Sequence, residues 1–268
     1  MTRRALTTAL LSVVVAVMFV PIYSMVVIAS QPDDSDLRGV WFHGFHLLRN
    51  IGTMFGDGHF PRYFLNSLIV AGGVGLLDVV FSAAAGYALA RLRFPGHRLL
   101  FGVVVATLGL APPMIIVPLY VIVRTLGWVD SYQGMVVPMM ISAFGVFLVR
   151  QFALGIPADL LDSARVDGAG ELQTFAWIAV PLLRPALLTL FLVQFLAQWD
   201  NLLWPLLVAN RQSLWTLPVG LAGFQTEHGV NVHLMTTAAL VIALPPLLLL
   251  MLLQKYYVSG LTLGGVKE

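Results

Sequence analysis

Six stretches of the chain are apolar over lengths that can cross a bilayer: about 5–29, 64–90, 99–123, 133–152, 182–209 and 234–254. A segment surrounded by lipid must satisfy its own backbone polar groups, so each stretch is read as a helix. The polar residues between them are unevenly shared. If the spans alternate, Arg3, Arg4, Arg91, Arg93, Arg98, Arg150, Arg165, Arg184, Lys255 and Lys267 fall on one side, and Arg38, Arg49, Arg62, Arg124 and Arg211 on the other. Both termini lie on the richer side, which predicts that both are cytoplasmic. The run from Ala5 to Ala29 is longer than the roughly 7–15 residues of a signal-peptide core, so it reads as a retained first span. The expected fold class is an all-α integral membrane protein of six transmembrane helices. Residues 1–268 would form one transmembrane domain, with a cytoplasmic loop at 157–181 and a cytoplasmic tail at 255–268.

Composition agrees with that pattern. The chain is 59% hydrophobic and 10% charged, against roughly 25% charged residues in soluble domains. There are too few charges to coat a soluble surface. With no cysteine there is no disulfide framework and no thiolate metal or redox site. His43 with His46, and His228 with His233, lack an HExxH form or further ligands nearby, so no metal site is expected. Lys255 and Lys267 are the only lysines, and the Gly260, Gly265, Lys267 run departs from GxxxxGK[ST]; the chain has no P-loop with which to hold ATP. A nucleophile elbow, a triad and a deaminase-like ligand set are also missing, which argues against an enzyme.

Interruptions in the apolar runs are informative. Asp78 sits near the middle of the second span, where an acid costs roughly 2.5–3.5 kcal/mol even on the lenient insertion scale. It reads equally as a gate or pathway residue and as a polar contact between helices. Pro112, Pro113 and Pro118 in the third span, echoed by Pro245-Pro246 in the sixth, predict broken helices, either lining a path or kinked for packing. At the end of the fifth span, Trp199, Asp200 and Asn201 join an aromatic face to an acid and an amide. That is chemistry suited to a polyhydroxyl ligand, and an interfacial belt is the plainer account of Trp204 nearby. Asn66, at the start of the second span, joins these as a candidate pathway residue. The outer segment 30–63 is read as a surface that touches a partner, and 210–233 is apolar enough to dip back or cap a pathway.

The most polar island is Pro157–Pro181, in which Asp159, Asp162, Arg165, Asp167 and Glu171 fall close together. Pro157 suits a first turn, and Asp159 and Asp162 suit a helix N-terminus. Leu160, Leu161, Ala164 and Ala169 recur near helical spacing, while Gly168 and Gly170 end the run. The residues predict a short amphipathic helix, a bend, and a second helical run from Leu172 to Val180. An ordinary interfacial helix is one reading of this.

A sharper one comes from resemblance. Asp162-Ser163-Ala164, then Gly168, then Ile178 and Pro181 resemble the EAA loop of permease subunits in binding-protein-dependent ABC importers, with Asp162 standing for Glu and Ser163 for the first Ala. Tyr63 to Ser67, Ala88 to Gly96, Pro113 to Gly127, Trp199-Asp200-Asn201, Leu217 to Leu221, and Gly260-Leu261-Thr262 with Gly265-Val266-Lys267 follow in the order seen in the carbohydrate branch. They are most similar to the smaller inner-membrane permease of maltose-type importers. Gln254-Lys255 replaces a usual Gln-Arg, and Glu268 a common terminal Gly. The resemblance implies a type I importer fold in the bacterial or archaeal cytoplasmic membrane. It implies a heterodimer with a second permease, two copies of an ABC ATPase that carry ATP and magnesium, and an extracytoplasmic sugar-binding protein; no nucleic acid is involved. Leu160, Leu161, Asp162, Ser163, Ala164, Asp167, Gly168 and Ala169 would form the ATPase-coupling segment, and Gly260, Leu261, Thr262, Gly265 and Lys267 an ATPase-facing tail. An autonomous ion-coupled carrier or channel using Asp78 and Asp200 is the alternative.

Overall fold

The computed structural model describes residues 3–32, 44–56, 59–227 and 232–262. The expectations placed on His43, His228, Gly265 and Lys267, and on residues 33–43 and 57–58 of the segment 30–63, lie outside the described residues. Among the described residues, all regular structure is helical. Three single helices are long and apolar enough to cross a membrane: α1 (Arg3–Ala29), α3 (Phe60–Arg91) and α14 (Val232–Thr262). Three bent pairs reach that length only together, so the chain has up to six spans.

The first pair is α4 (His97–Leu108) and α5 (Pro112–Thr125), set at 110°. The break is the one that Pro112-Pro113 predicted: both prolines stand at the start of α5, where a missing N–H leaves no bond unmade. The second pair is α6 (Tyr132–Val136), extended by a 3₁₀ turn to Met139, and α7 (Ala143–Leu154), bent by 42°. Helix α8 (Ala158–Val166) follows. The third pair begins with α9 (Glu171–Thr174), a π-helical turn Phe175–Ala179 and α10 (Val180–Leu182), and turns 75° into α11 (Arg184–Trp199).

Two expectations are corrected here. The fifth span was expected to run to residue 209, but α11 stops at Trp199 and the following apolar residues form a separate short helix, α12 (Leu203–Val208). Asn201 causes the restart: its Oδ1 accepts the Trp204 N–H at 3.2 Å and caps the new helix. The second correction is that Pro245-Pro246 do not divide the sixth span, since α14 passes through both.

Helix α3 is the centre. It packs along α7 and α11; α11 packs on α14, and α14 on α1. The α3–α7 crossing is close because Gly86 has no side chain: a Cβ there would stand 2.8 Å from the Val149 Cβ and 2.9 Å from the backbone of Arg150 and Val146. Helix α2 (Leu47–Gly56), in the outer segment, lays Met54 against Ala238 and Val241 of α14, and Asn50 Nδ2 donates to the carbonyls of Ala29 and Gln31 at the end of α1, each at 2.9 Å. Helix α13 (Leu217–Glu227) explains the apolar character of 210–233: Leu217 and Val219 are buried, and the Leu217 N–H donates to Ser67 Oγ at 2.8 Å.

Candidate functional site

The polar island is a rigid outgrowth of the bundle. It begins at the end of α7, whose last carbonyls have no partner within the helix. Arg91, the final residue of α3, supplies one. Its Nε donates to Ala153 O at 2.9 Å and its Nη2 to Leu154 O at 3.2 Å and to Ile156 O. Arg150 of α7 answers from the other side, donating to Leu89 O at 3.3 Å while its guanidinium lies 3.8 Å over the Phe101 ring. The chain therefore leaves the membrane-spanning helices in a fixed direction.

Helix α8 starts after Pro157 and binds back through two small stripes. Leu161, 2% exposed, enters a core with Tyr87, Val149, Ala153, Ile156, Ala179 and Leu183, and Ala164 is buried beside it. Leu160, Asp162, Ser163, Val166 and Asp167 are exposed. Its end is a Schellman motif: Ala169 N donates to Ala164 O at 2.9 Å and Gly168 N to Arg165 O at 3.0 Å. This needs Gly168 at φ 88°, a backbone conformation that a side chain would strain. Gly170 N then donates to Gln173 Oε1 at 3.0 Å and opens α9.

Arg165 closes the turn. Its Nε and Nη2 take both Glu171 oxygens at 2.9 and 3.2 Å, and its Nη1 reaches Asp162 at 2.7 Å. Glu171 first and Asp162 second raise the guanidinium above its ordinary pKa, so the fork stays charged. The π-turn places Phe175 5.1 Å from the Tyr87 ring and leaves Trp177 81% exposed. The result is a short helix fixed on one face to α3, α7 and α11, with a mixed apolar and acidic outer face for something else to grip.

The residues expected along a pathway are not gathered in one place. Asp78 is fully buried: Ser82 Oγ donates to it at 2.6 Å, Ser142 N at 2.8 Å and Ser142 Oγ at 2.8 Å. Ser142 is also the N-cap of α7, accepting Gly145 N at 2.8 Å. Of the two readings of Asp78, these bonds match the contact between helices, fixing the bend between α6 and α7. Asn66 braces the 210–233 segment: Nδ2 donates to Ser213 O and Trp215 O at 3.0 and 2.8 Å, and Oδ1 accepts the Tyr132 hydroxyl at 2.6 Å. Asp200 is exposed, and Asn201 is spent on the α12 cap and on Gln198.

Trp199 has a different use from the ring platform its neighbours suggested. It is 1% exposed, stacked on Phe195 at 5.4 Å, with Phe64 edge-on at 5.8 Å. Its indole N–H donates to Ile242 O at 3.1 Å. Ile242 lies four residues before Pro246, which has no N–H to give it. Trp199 thus supplies the bond that proline removes, and α14 continues unbroken.

Sequence reasoning missed the roles of Arg91 and Arg150, counting them only as orientation charges. The available signal was a basic residue at each end of a helix–loop junction, where carbonyls need donors.

The profile of the family described as binding-protein-dependent transport system inner membrane component matches residues 78–262, most of the chain. The chain belongs to this family. Among curated relatives, it is 36% identical over 234 residues to the arabinooligosaccharides transport system permease protein AraQ of Bacillus subtilis, covering 87% of this chain and 82% of that protein. It is 32% identical over 258 residues to the sn-glycerol-3-phosphate transport system permease protein UgpE of Escherichia coli O1:K1, covering 92% of each. Its fold matches a chain in the crystal structure of a bacterial ABC transporter involved in the import of the acidic polysaccharide alginate, with a TM-score of 0.83 and 21% identity, over 94% of this chain and 95% of that one. The molecule is thus an inner-membrane transport permease with the type I ABC permease fold.

Proposed function

We propose that this permease is one half of the translocation pathway of a sugar importer driven by a separate ABC ATPase. In this reading both termini and the 157–181 segment are cytoplasmic, and the partners are a second permease, two ATPase copies with ATP and magnesium, and an extracytoplasmic binding protein. The carried solute is a carbohydrate or related polyol, as the names of the relatives suggest. The observation that carries the proposal is the construction of α8. Leu161 of α8 shares a core with residues of α3, α7 and α11, and Arg91 holds the stretch by which the chain leaves α7 for α8, so a displacement of α8 is passed to those helices. Force applied by an ATPase to its outer face therefore reaches the bundle, and the bends at Ser142 and Leu183 are where the bundle can answer by alternating access.

The sequence also allowed an ion-coupled carrier. Asp78, with three donors on its carboxylate, and the separately placed Asp200 offer it little support.

The test is a detergent pull-down from native membranes with wild type and Gly168→Trp. Wild type is expected to recover an ATPase and a second permease, and the variant to lose the ATPase while keeping the permease. The space around a Gly168 Cβ is open but the positive φ strains any side chain, so the variant disturbs the turn as well as the outer face, and retention of the second permease is the control that the bundle still folds. Correctly inserted wild type that recovers no ATPase would remove the proposed energy source.

A further inference from the structure

We propose that the permease carries a socket for an acidic side chain of the extracytoplasmic binding protein, an inference that rests on the importer reading above. Arg62 and Arg91 lie near opposite ends of α3, about 44 Å apart at 1.5 Å per residue, so Arg62 belongs to the face away from α8. Three segments meet there around a cavity of about 320 Å³: the start of α3 gives Arg62, the turn before α6 and its first residues give Asp130, Ser131 and Gln133, and the turn after α12 gives Arg211 and Ser213. Tyr132 and Leu214 complete a lining that is too polar for a lipid chain.

Among the described residues, two guanidiniums and a single carboxylate line this cavity. Among the described residues Arg62 has no carboxylate within ion-pair distance, and the Arg211 Nε stands 3.9 Å from Asp130 Oδ2. Both arginines are positioned in advance. Arg62 Nε donates to Ser213 O at 2.8 Å, and Arg211 Nη2 to Asp130 O at 2.6 Å. Asp130 itself is held at φ 58°, unusual for a residue with a side chain, by bonds from its N–H to Val208 O and from the Arg211 N–H to its Oδ1, each 2.9 Å. A rim fixed before the partner arrives, with one more positive than negative charge among its described residues and spare guanidinium N–H groups, suits a carboxylate. Its place among these three segments makes a docking protein, rather than the solute in transit, the source of that carboxylate.

The experiment uses the complete transporter in nanodiscs and the binding protein that copurifies with it, following ATP hydrolysis against binding-protein concentration. Arg62→Gln and Arg211→Gln each remove a guanidinium. Gln133→Glu places a competing carboxylate in the socket without breaking any hydrogen bond described here. Each is expected to raise the half-stimulating concentration roughly tenfold while leaving the maximal rate in place, as the loss of one charge-assisted bond implies. The gap from wild type is expected to shrink between about 0.05 and 0.5 M salt, since screening weakens only a charge contribution. If an arginine variant fails to assemble, Gln133→Glu decides. An unchanged half-stimulating concentration in Gln133→Glu, or a shift indifferent to salt, overturns the socket. Wild type that no binding protein stimulates sinks the importer reading instead, so the two failures are separable.

Discussion

Helices α1 and α3 are both long and apolar, yet 39% of the apolar stretch of α3 is buried within the chain and only 6% of that of α1. Hydropathy does not separate them. What does is the kind of residue between the large apolar ones. Helix α3 carries Asn66, Ser67, Gly75, Asp78, Ser82, Ala83 and Gly86, all buried, whereas α1 from Leu6 to Val20 presents Leu, Val, Met and Phe outward throughout. In lipid an apolar side chain gains little by leaving one apolar neighbour for another, so close packing and hydrogen bonds choose the inner helix. Small and polar residues mark the inside, the reverse of the rule in water.

Substitutions at four positions press on that contrast. Gly86→Leu should have the largest effect, because the added side chain meets the α7 backbone and no rotamer avoids it. Assembly should fail, or stability fall by about 3 kcal/mol or more, read as loss of a monodisperse peak and of thermal stability in detergent. Asp78→Ala comes next. It strands the Ser142 N–H and two hydroxyls in a buried site, for a loss of about 2–3 kcal/mol, and Asp78→Asn should recover part of it in the same thermal assay. Arg91→Gln should cost about 1.5–2 kcal/mol, with faster amide exchange at 153–169 as its signature. Leu11→Ala on α1 should change stability by less than about 0.5 kcal/mol. A loss there as large as that for Asp78 would break the comparison and show that the α1 surface is already part of a packed interface.

The apolar runs coincide with the three long helices and the three bent pairs, up to six spans in all, because length in a bilayer is a hard constraint. Where they bend was only half legible. Pro112-Pro113 announced the α4–α5 turn, while the α6–α7 bend depends on Asp78 and Ser142, 64 residues apart in sequence, which no local pattern connects. Pro245-Pro246 misled for the same reason: the group that bonds the Ile242 carbonyl left by Pro246, Trp199, comes from another helix. Within 157–181 the helix, the glycine turn and the second run could be read locally, since caps and turns are local. The Arg91 clamp beneath them could not, being again a contact across 62 residues.

The bond between Trp199 and Ile242 has a mechanical meaning. At Pro246 the last span has no internal bond of its own to resist bending, so its stiffness there is borrowed from the end of α11. Straightness in α14 and attachment to α11 are one variable. Parting the two helices at this level frees a proline hinge, and it costs this hydrogen bond, about 1 kcal/mol, together with the packing of Trp199 against α14. Seating them again locks the hinge, and a membrane helix that looks rigid is in effect a jointed rod with its splint on a neighbour.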